Sequence, residues 1–82
     1  MVVLTTKYSD RFVDARQLRS PMILTILSKA IQQIEPGQIL ALCASDPEAK
    51  REVSAWCKQS GNRLLETTEQ QQLVTFYIRR RP

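Results

Sequence analysis

The chain has 82 residues, of which 43% are hydrophobic and 24% charged, and its formal net charge is +4. This is the composition of one small globular domain, and it excludes a disordered chain. The sequence contains no histidine and only two cysteines, Cys43 and Cys57. It therefore lacks the residue used in most catalytic triads and zinc sites, and it has too few cysteines for a Cys-only metal site or a disulfide framework.

Residues 1–10 hold a short apolar patch followed by polar residues. They are predicted to form an N-terminal leader, either a loose segment or an additional edge strand. A single domain is expected to span residues 11–82. Its first strand is predicted at Arg11-Phe12-Val13-Asp14, and the aperiodic stretch at 15–19 is predicted to be a loop.

The first helix is predicted to begin at Ser20-Pro21, because serine is a favoured N-cap residue and proline a favoured first helical residue. Apolar residues then recur with the period of an α-helix and form one stripe: Ile23, Ile26, Leu27, Ala30, Ile31 and Ile34. Pro36 and Gly37 are turn signals that end this helix. The apolar run at 38–44 is predicted to be a strand buried on both faces or nearly so, with a helix as the weaker alternative.

The second helix is predicted to begin with Asp46 as its N-cap and Pro47 at its first position. One face of that helix carries Ala49, Val53, Trp56 and Cys57. Gly61 is predicted to be its left-handed C-cap. Two strands are expected to finish the chain, at 63–68 and 73–79.

The closing strands are expected to pair as a hairpin, with Gln71 and Gln72 in the connection and Val74, Phe76 and Ile78 on one face of the last strand. The resulting order, β-α-β-α-β-β, predicts an α+β fold. Its architecture is a two-layer α/β sandwich in which two helices cover one face of a four-stranded mixed sheet. The other sheet face has no second layer in the sequence, so it is either solvated or covered by a partner.

Four features carry reactive, aromatic or charged side chains, and each is first considered for a structural role. Cys43 and Cys57 are expected to be buried free thiols that pack as small hydrophobes. Trp56 is expected in the core or at its edge. The arginine run at 79–81 is typical of a solvated tail, with a specific phosphate-binding role as the alternative.

From Asp14 to Pro21 the sequence resembles the TusA/SirA-like family of small sulfur-carrier proteins. That family has a strand, an Asp-x-x-Gly-Leu-x loop, and Cys-Pro-x-Pro at the start of the first helix. The matching residues here are Asp14-Ala15-Arg16-Gln17-Leu18-Arg19-Ser20-Pro21. The resemblance continues through Pro36-Gly37, Ser45-Asp46-Pro47, Trp56-Cys57 and Tyr77-Ile78-Arg79, and it covers residues 11–80.

Three positions depart from the family pattern, and one of them carries its chemistry. Ser20 stands where the family has its sulfur-accepting cysteine, Ile23 stands in place of the second proline, and Gln17 in place of the loop glycine. The chain is therefore either a naturally thiol-less relative or a form in which a cysteine has been changed to serine. The resemblance implies residue 20 as the transfer position, with Arg16, Leu18, Arg19 and Pro21 as the supporting motif.

A cysteine at a helix N-terminus suits sulfur transfer because unpaired N–H groups and the helix dipole favour the thiolate. Arg16 and Arg19 are expected to add positive potential there. Together these effects predict that Ser20→Cys would have a thiol pKa about one unit below the reference value of about 8.5. No metal, cofactor or separate catalytic base is required.

The resemblance implies a sulfur carrier that relays persulfide, not a stand-alone enzyme. Its partners would be a cysteine desulfurase or rhodanese-like donor and a protein acceptor serving tRNA thiolation, cofactor synthesis or sulfur oxidation. One alternative is a binding or regulatory module that keeps the fold and works without a thiol. Another is a small basic RNA-binding protein, since the net charge permits it and a translation initiation factor has a domain of the same architecture.

The location is expected to be cytoplasmic, with reduced thiols and no membrane partner. No apolar run approaches the roughly 18 residues of a membrane-spanning helix. The first residues also lack the basic and apolar regions of a secretion signal.

Overall fold

A computed structural model describes residues 8–82. Most of the predicted leader, residues 1–7, lies outside the described residues. The last leader residue joins the sheet, because the N–H of Asp10 donates to the carbonyl oxygen of Ile39 at 2.7 Å.

The order of the elements is the predicted β-α-β-α-β-β. They are β1 (Arg11–Ala15), α1 (Met22–Ile31), β2 (Ile39–Ala44), α2 (Ala49–Ser60), β3 (Arg63–Gln70) and β4 (Leu73–Arg79). The sheet order is β1-β2-β4-β3, with β1 parallel to β2 and β4 antiparallel to both of its neighbours. The predicted four-stranded mixed sheet is therefore confirmed.

Both helices pack on the same face of the sheet, which confirms the predicted sandwich. The core consists mainly of helix residues Ile23, Leu27, Ala30, Ile31, Ala49, Val53 and Cys57 and strand residues Leu40, Leu42, Ala44, Val74, Phe76 and Ile78. The apolar run in β2 is a strand. Its alternate residues Ala41 and Cys43 are also buried, at 2% and 7% exposure, because β1 and β4 flank their small side chains.

The start of α1 differs from the prediction by one residue. Pro21, not Ser20, occupies the N-cap, and the regular helix begins at Met22. Ser20 provides no side-chain cap, since the N–H of Ile23 is already bonded to the carbonyl of Arg19 at 3.1 Å. Backbone bonding in the preceding turn has replaced the side-chain cap that serine usually supplies.

The observed ends of the two helices agree only in part with the predicted ones. α1 stops at Ile31, yet Ile34 beyond it stays buried at 6% exposure. α2 begins at Ala49, two residues after the predicted first position at Pro47. Asp46 still caps the turn before it, because its Oδ1 accepts the N–H of Glu48 at 2.9 Å. Gly61 is the left-handed C-cap, as predicted, with a φ of 82°.

The arginine run is anchored and does not form a free tail. Arg80 donates its N–H to the carbonyl of Gln38 at 2.9 Å, and its guanidinium bonds the carbonyl of Ile34. The N–H of Arg81 donates to Oδ1 of Asn62 at 2.8 Å. The run therefore ties the end of β4 to the loops that follow α1 and α2.

The β3–β4 connection has the predicted residues in an unfavourable conformation. Gln71 and Gln72 have φ values of 52° and 69°. Positive φ at both central residues of a two-residue hairpin is the type I′ pattern, for which Asn-Gly is preferred. Left-handed backbone costs an L-residue about 1–2 kcal/mol, a cost that glycine avoids.

We therefore expect the double change Gln71→Asn and Gln72→Gly to stabilise the protein by about 1 kcal/mol, after the entropy cost of glycine. Thermal unfolding should show Tm higher by about 4–8 °C, as expected for a domain of this size. Gln70→Gly, a change inside β3, is the matched control and should lower Tm. A lower Tm for the double variant would contradict this account of the turn.

Neither helix within residues 8–82 has the length and hydropathy that crossing a bilayer requires.

Candidate functional site

Two loops meet at one end of the sheet, and the predicted site lies where they meet. β1 and β2 are adjacent and parallel, with Ala15 in register with Ala44. The loop from β1 to α1 and the loop from β2 to α2 therefore leave the same edge of the sheet, as in other βαβ units. The first loop carries the site residues, and the second carries Ser45 and Asp46.

Two hydrogen bonds join the loops directly. The N–H of Ser20 donates to Oδ2 of Asp46 at 2.9 Å. The hydroxyl of Ser45 donates to the carbonyl oxygen of Arg16. With its other oxygen bonded to Glu48, Asp46 fixes residue 20 against the turn that starts α2.

The side-chain oxygen of Ser20 is unusual in its hydrogen bonding. Its Oγ is buried and, within residues 8–82, has no hydrogen-bond partner. A buried hydroxyl without a partner costs about 1–3 kcal/mol. A thiol is a much weaker hydrogen-bonding group, so the same position would hold cysteine at a smaller cost.

Arg16 is bound in a bidentate ion pair. Its Nε and Nη2 each lie 2.8 Å from a different oxygen of Asp14, and its backbone N–H donates to Oδ1 of Asp14 at 3.1 Å. The Arg16 guanidinium lowers the pKa of Asp14 to about 2. The charge of Arg16 is therefore balanced locally, in contrast to the expectation that it adds positive potential around residue 20.

Asp46 brings a negative charge to residue 20. The N–H of Glu48 first, then the N–H of Ser20, and finally the nearby charge of Arg19 lower the pKa of the Asp46 carboxyl. The sequence predicts Asp46 as a helix cap, and no local pattern indicates its bond to residue 20. The signal was available in the topology, because adjacent parallel strands bring their following loops together.

The remaining residues of the predicted motif have clear places. Leu18 is half-buried against the core, and its N–H donates to the carbonyl of Ala15 at 3.1 Å. Pro21 is the exposed N-cap of α1. Beside them is a shallow depression of about 520 Å³, lined by Arg16, Gln17, Arg19, Ser45, Asp46 and Pro47. Of the five motif positions, Arg16 and Arg19 therefore line this open surface, whereas Ser20, Leu18 and Pro21 are not part of its lining.

Both cysteines are buried, but on different faces of the sheet. Cys57 is 4% exposed in the core beneath α2. Cys43 is 7% exposed and lines a shallow depression on the face opposite the helices. Trp56 packs at the core edge and donates its indole N–H to Oγ of Ser28 at 3.1 Å. The expected burial of both cysteines and the expected place of Trp56 at the core edge are confirmed.

We expect both thiols to react slowly in the native protein, and Cys57 more slowly than Cys43. Burial raises the pKa of Cys57 from 9.0 to about 11, so its thiolate fraction near neutral pH falls about 100-fold. Timed labelling with a thiol reagent, followed by peptide mapping, measures each site. The unfolded protein is the control, in which both should react at similar rates. Rapid native labelling of Cys57 would contradict its placement in the core.

No three His, Cys, Asp or Glu side chains within residues 8–82 come close enough together to hold a metal ion.

Known proteins match this chain over nearly the whole domain. A family model described as Sulfurtransferase TusA matches residues 11–80. YrkI of Bacillus subtilis, named as a candidate sulfur carrier protein, is 39% identical over 72 residues, which are 88% of this chain and 96% of YrkI. The sulfur carrier protein TusA of Allochromatium vinosum is 31% identical over 71 residues, which are 87% of this chain and 93% of that protein.

A solved structure shares the fold. The crystal structure of a SirA-like protein from Desulfitobacterium hafniense has a TM-score of 0.76 against this chain at 15% identity. The match covers 88% of this chain and 99% of the other. The family model and the two relatives extend across the loops and helix starts described above, and the chain belongs to the TusA family of sulfurtransferases.

Proposed function

We propose that this chain is a sulfur carrier of the persulfide-relay type, with residue 20 as the transfer position. In the form with Ser20 it binds the donor and acceptor proteins but holds no sulfur at that residue. Membership of the TusA family and the names of the relatives support the carrier role. The donor is expected to be a cysteine desulfurase or a rhodanese-like protein.

The buried, unpartnered Oγ of Ser20 is the observation that carries the proposal. Its surroundings provide no hydrogen bond to a hydroxyl, although they bond the backbone N–H of the same residue. A sulfur atom would tolerate this environment better than oxygen does, because its own hydrogen bonds are weak. In its neutral thiol form, the cysteine that the family motif has at this position therefore fits the site better than serine does.

The transfer itself needs a thiolate at residue 20. In Ser20→Cys, the thiolate would attack the terminal sulfur of the donor's persulfide. A new S–S bond forms at residue 20, the S–S bond of the donor breaks, and the donor cysteine leaves as a thiolate. A serine hydroxyl is not ionised near neutral pH and cannot take this part.

A second candidate function is a binding module that needs no thiol. The carboxylate of Asp46 favours it, since this negative charge is bonded to residue 20 and opposes a thiolate there. Such a module would bind a partner protein through the surface around Arg19 and Pro47. It would occupy the place on that partner where a sulfur carrier otherwise binds. Its binding would be independent of the atom at position 20.

Sulfur loading tests the two functions. The chain and Ser20→Cys, both with Cys43 and Cys57 changed to alanine, are incubated with a cysteine desulfurase and labelled cysteine, then mapped by mass spectrometry. We expect sulfur on the peptide with residue 20 in Ser20→Cys and none in the Ser20 form. Ser54→Cys is the matched control, because Ser54 is also partly buried but lies on α2.

Two results would separate the candidates, and a third would contradict them both. Loading of Ser20→Cys but not Ser54→Cys supports the relay. Desulfurase binding that is equal for Ser20 and Ser20→Cys, with no loading of either, supports the thiol-independent module. Stable label on Ser20 itself would contradict both.

A further inference from the structure

The sheet face opposite the helices carries two aromatic side chains around a small one. In the strand register Phe12 lies opposite Ala41, and Ala41 lies opposite Tyr77. Residues in register share a face, so the two rings flank the alanine about 10 Å apart, twice the spacing between strands. Phe12 is 60% exposed and Tyr77 is partly exposed. We call this row the aromatic row.

The neighbouring row of the same face is strongly basic. Arg79 lies directly opposite Arg63 on β3 and opposite Ile39 on β2. Within residues 8–82 no carboxylate oxygen lies within 4.0 Å of either guanidinium. Like charges directly opposite each other in a sheet are destabilising, so a bound anion would reduce the repulsion between the two arginines.

Two acidic strand residues share this face with the arginine pair. Asp14 is on the face, but its carboxylate is held by Arg16 in the bidentate pair. Glu66 lies beside Tyr77 in the aromatic row. Beyond that row, Thr75 and Thr68 lie opposite each other and present hydroxyl groups.

From these rows we infer that the open sheet face binds single-stranded nucleic acid. Bases would stack on Phe12 and Tyr77, and the arginine pair would contact phosphates. Base stacking on aromatic side chains together with basic groups for the backbone is how sheets bind single strands. A duplex presents no free base to such rings, so it should bind less well.

The charge and the rings together favour this ligand over a protein partner. An acidic protein would satisfy Arg63 and Arg79, but it would not require aromatic faces at the neighbouring row. A second copy of the chain would bring another basic surface of the same kind. The inference does not depend on residue 20, and binding should be equal in Ser20→Cys.

Fluorescence anisotropy with a labelled oligouridine or oligothymidine tests the inference. We expect saturable binding to the full chain that weakens with salt, by about 0.7 in log–log slope for each phosphate contact. Phe12→Leu should weaken binding about 5-fold or more because it removes one stacking surface, whereas Phe12→Tyr should retain it. Arg79→Gln should weaken binding and reduce the salt slope by about 0.7.

Two matched controls make the test specific. Arg51→Gln removes the same charge from an exposed position on α2 and should leave the salt slope unchanged. A labelled polyglutamate peptide and a duplex of the same length are the competing ligands. Circular dichroism of each variant confirms that the fold is retained.

Several outcomes would overturn the inference. No binding of either oligonucleotide at low salt would do so directly. Equal effects of Arg51→Gln and Arg79→Gln would indicate general charge attraction. Binding of polyglutamate that tolerates Phe12→Leu would indicate an acidic protein partner, and concentration-dependent dimerisation abolished by Phe12→Leu would indicate a second copy. Equal or tighter binding of the duplex would exclude base stacking.

Discussion

Replacing Phe76 with alanine is expected to lower the free energy of unfolding by about 3–5 kcal/mol. The ring is 1% exposed in the centre of β4 and is the largest fully buried side chain in the described residues. A domain of 82 residues has a total stability of about 4–12 kcal/mol, at the usual value per residue. The variant should therefore lose a quarter or more of its stability, and at the lower end of that stability range it is largely unfolded at 25 °C.

Urea unfolding followed by the fluorescence of Trp56 measures this loss as a lower midpoint. Phe12→Ala is a matched control, because it removes the same side chain from the opposite face of the sheet, where the ring is 60% exposed. Its stability should change by no more than about 0.5 kcal/mol. A loss as large as that of Phe76→Ala would mean that Phe12 is covered by a second layer.

The thiol of Ser20→Cys is expected to have a pKa at or above the reference value of about 8.5, not below it. The helix start favours the thiolate by only about 0.3–1 kcal/mol. Burial of the Oγ position and the Asp46 carboxylate both oppose the thiolate. Arg16 offers little compensation because it is paired with Asp14.

Adding Asp46→Asn to Ser20→Cys should lower that pKa by about one to two units. The carboxylate accepts the residue's own N–H at 2.9 Å, so a thiolate would lie within about 7 Å of it, where charge repulsion is worth up to about 2.4 kcal/mol. Asparagine retains an oxygen to accept one of the two N–H groups and removes the charge.

The pH dependence of alkylation measures both values, in proteins whose Cys43 and Cys57 are replaced by alanine. Asp14→Asn is the control, because it removes a carboxylate that is bound to Arg16 and releases a positive charge near the site. It should lower the thiol pKa by less than Asp46→Asn does. An unchanged pKa in Asp46→Asn would mean that Asp46 does not set the electrostatics of residue 20.

Much of the fold could be predicted from the sequence because the signals are local. The helical stripe from Ile23 to Ile34, in which all the predicted residues except Ile26 are buried, and the alternation of Val74, Phe76 and Ile78 report which face of each element is buried. The left-handed cap at Gly61 follows from the freedom of glycine at positive φ. The starts of α1 and α2 were predicted less well, since several backbone and side-chain groups compete for the first N–H groups.

The candidate site was only partly predictable, because some of its contacts are local in sequence and others are not. The motif around Ser20 and Pro21 is contiguous in the sequence, and its resemblance to the TusA family located the position. The bond from Ser20 to Asp46 spans 26 residues and depends on β1 and β2 being parallel neighbours. Whether Arg16 acts as a free charge depends on its ion pair with Asp14, which joins the turn after β1 to the strand itself.

The order of the elements, the burial of the two cysteines and the family resemblance can all be read from consecutive residues, because periodicity and short motifs are local properties of the chain. The surroundings of residue 20 and the set of side chains on the open sheet face depend instead on how distant segments pack together. Strand order and register bring Phe12, Tyr77 and the arginine pair to the same face from three strands, β1, β3 and β4. Such neighbours are set by hydrogen bonding between strands, for which no local pattern in the chain is sufficient.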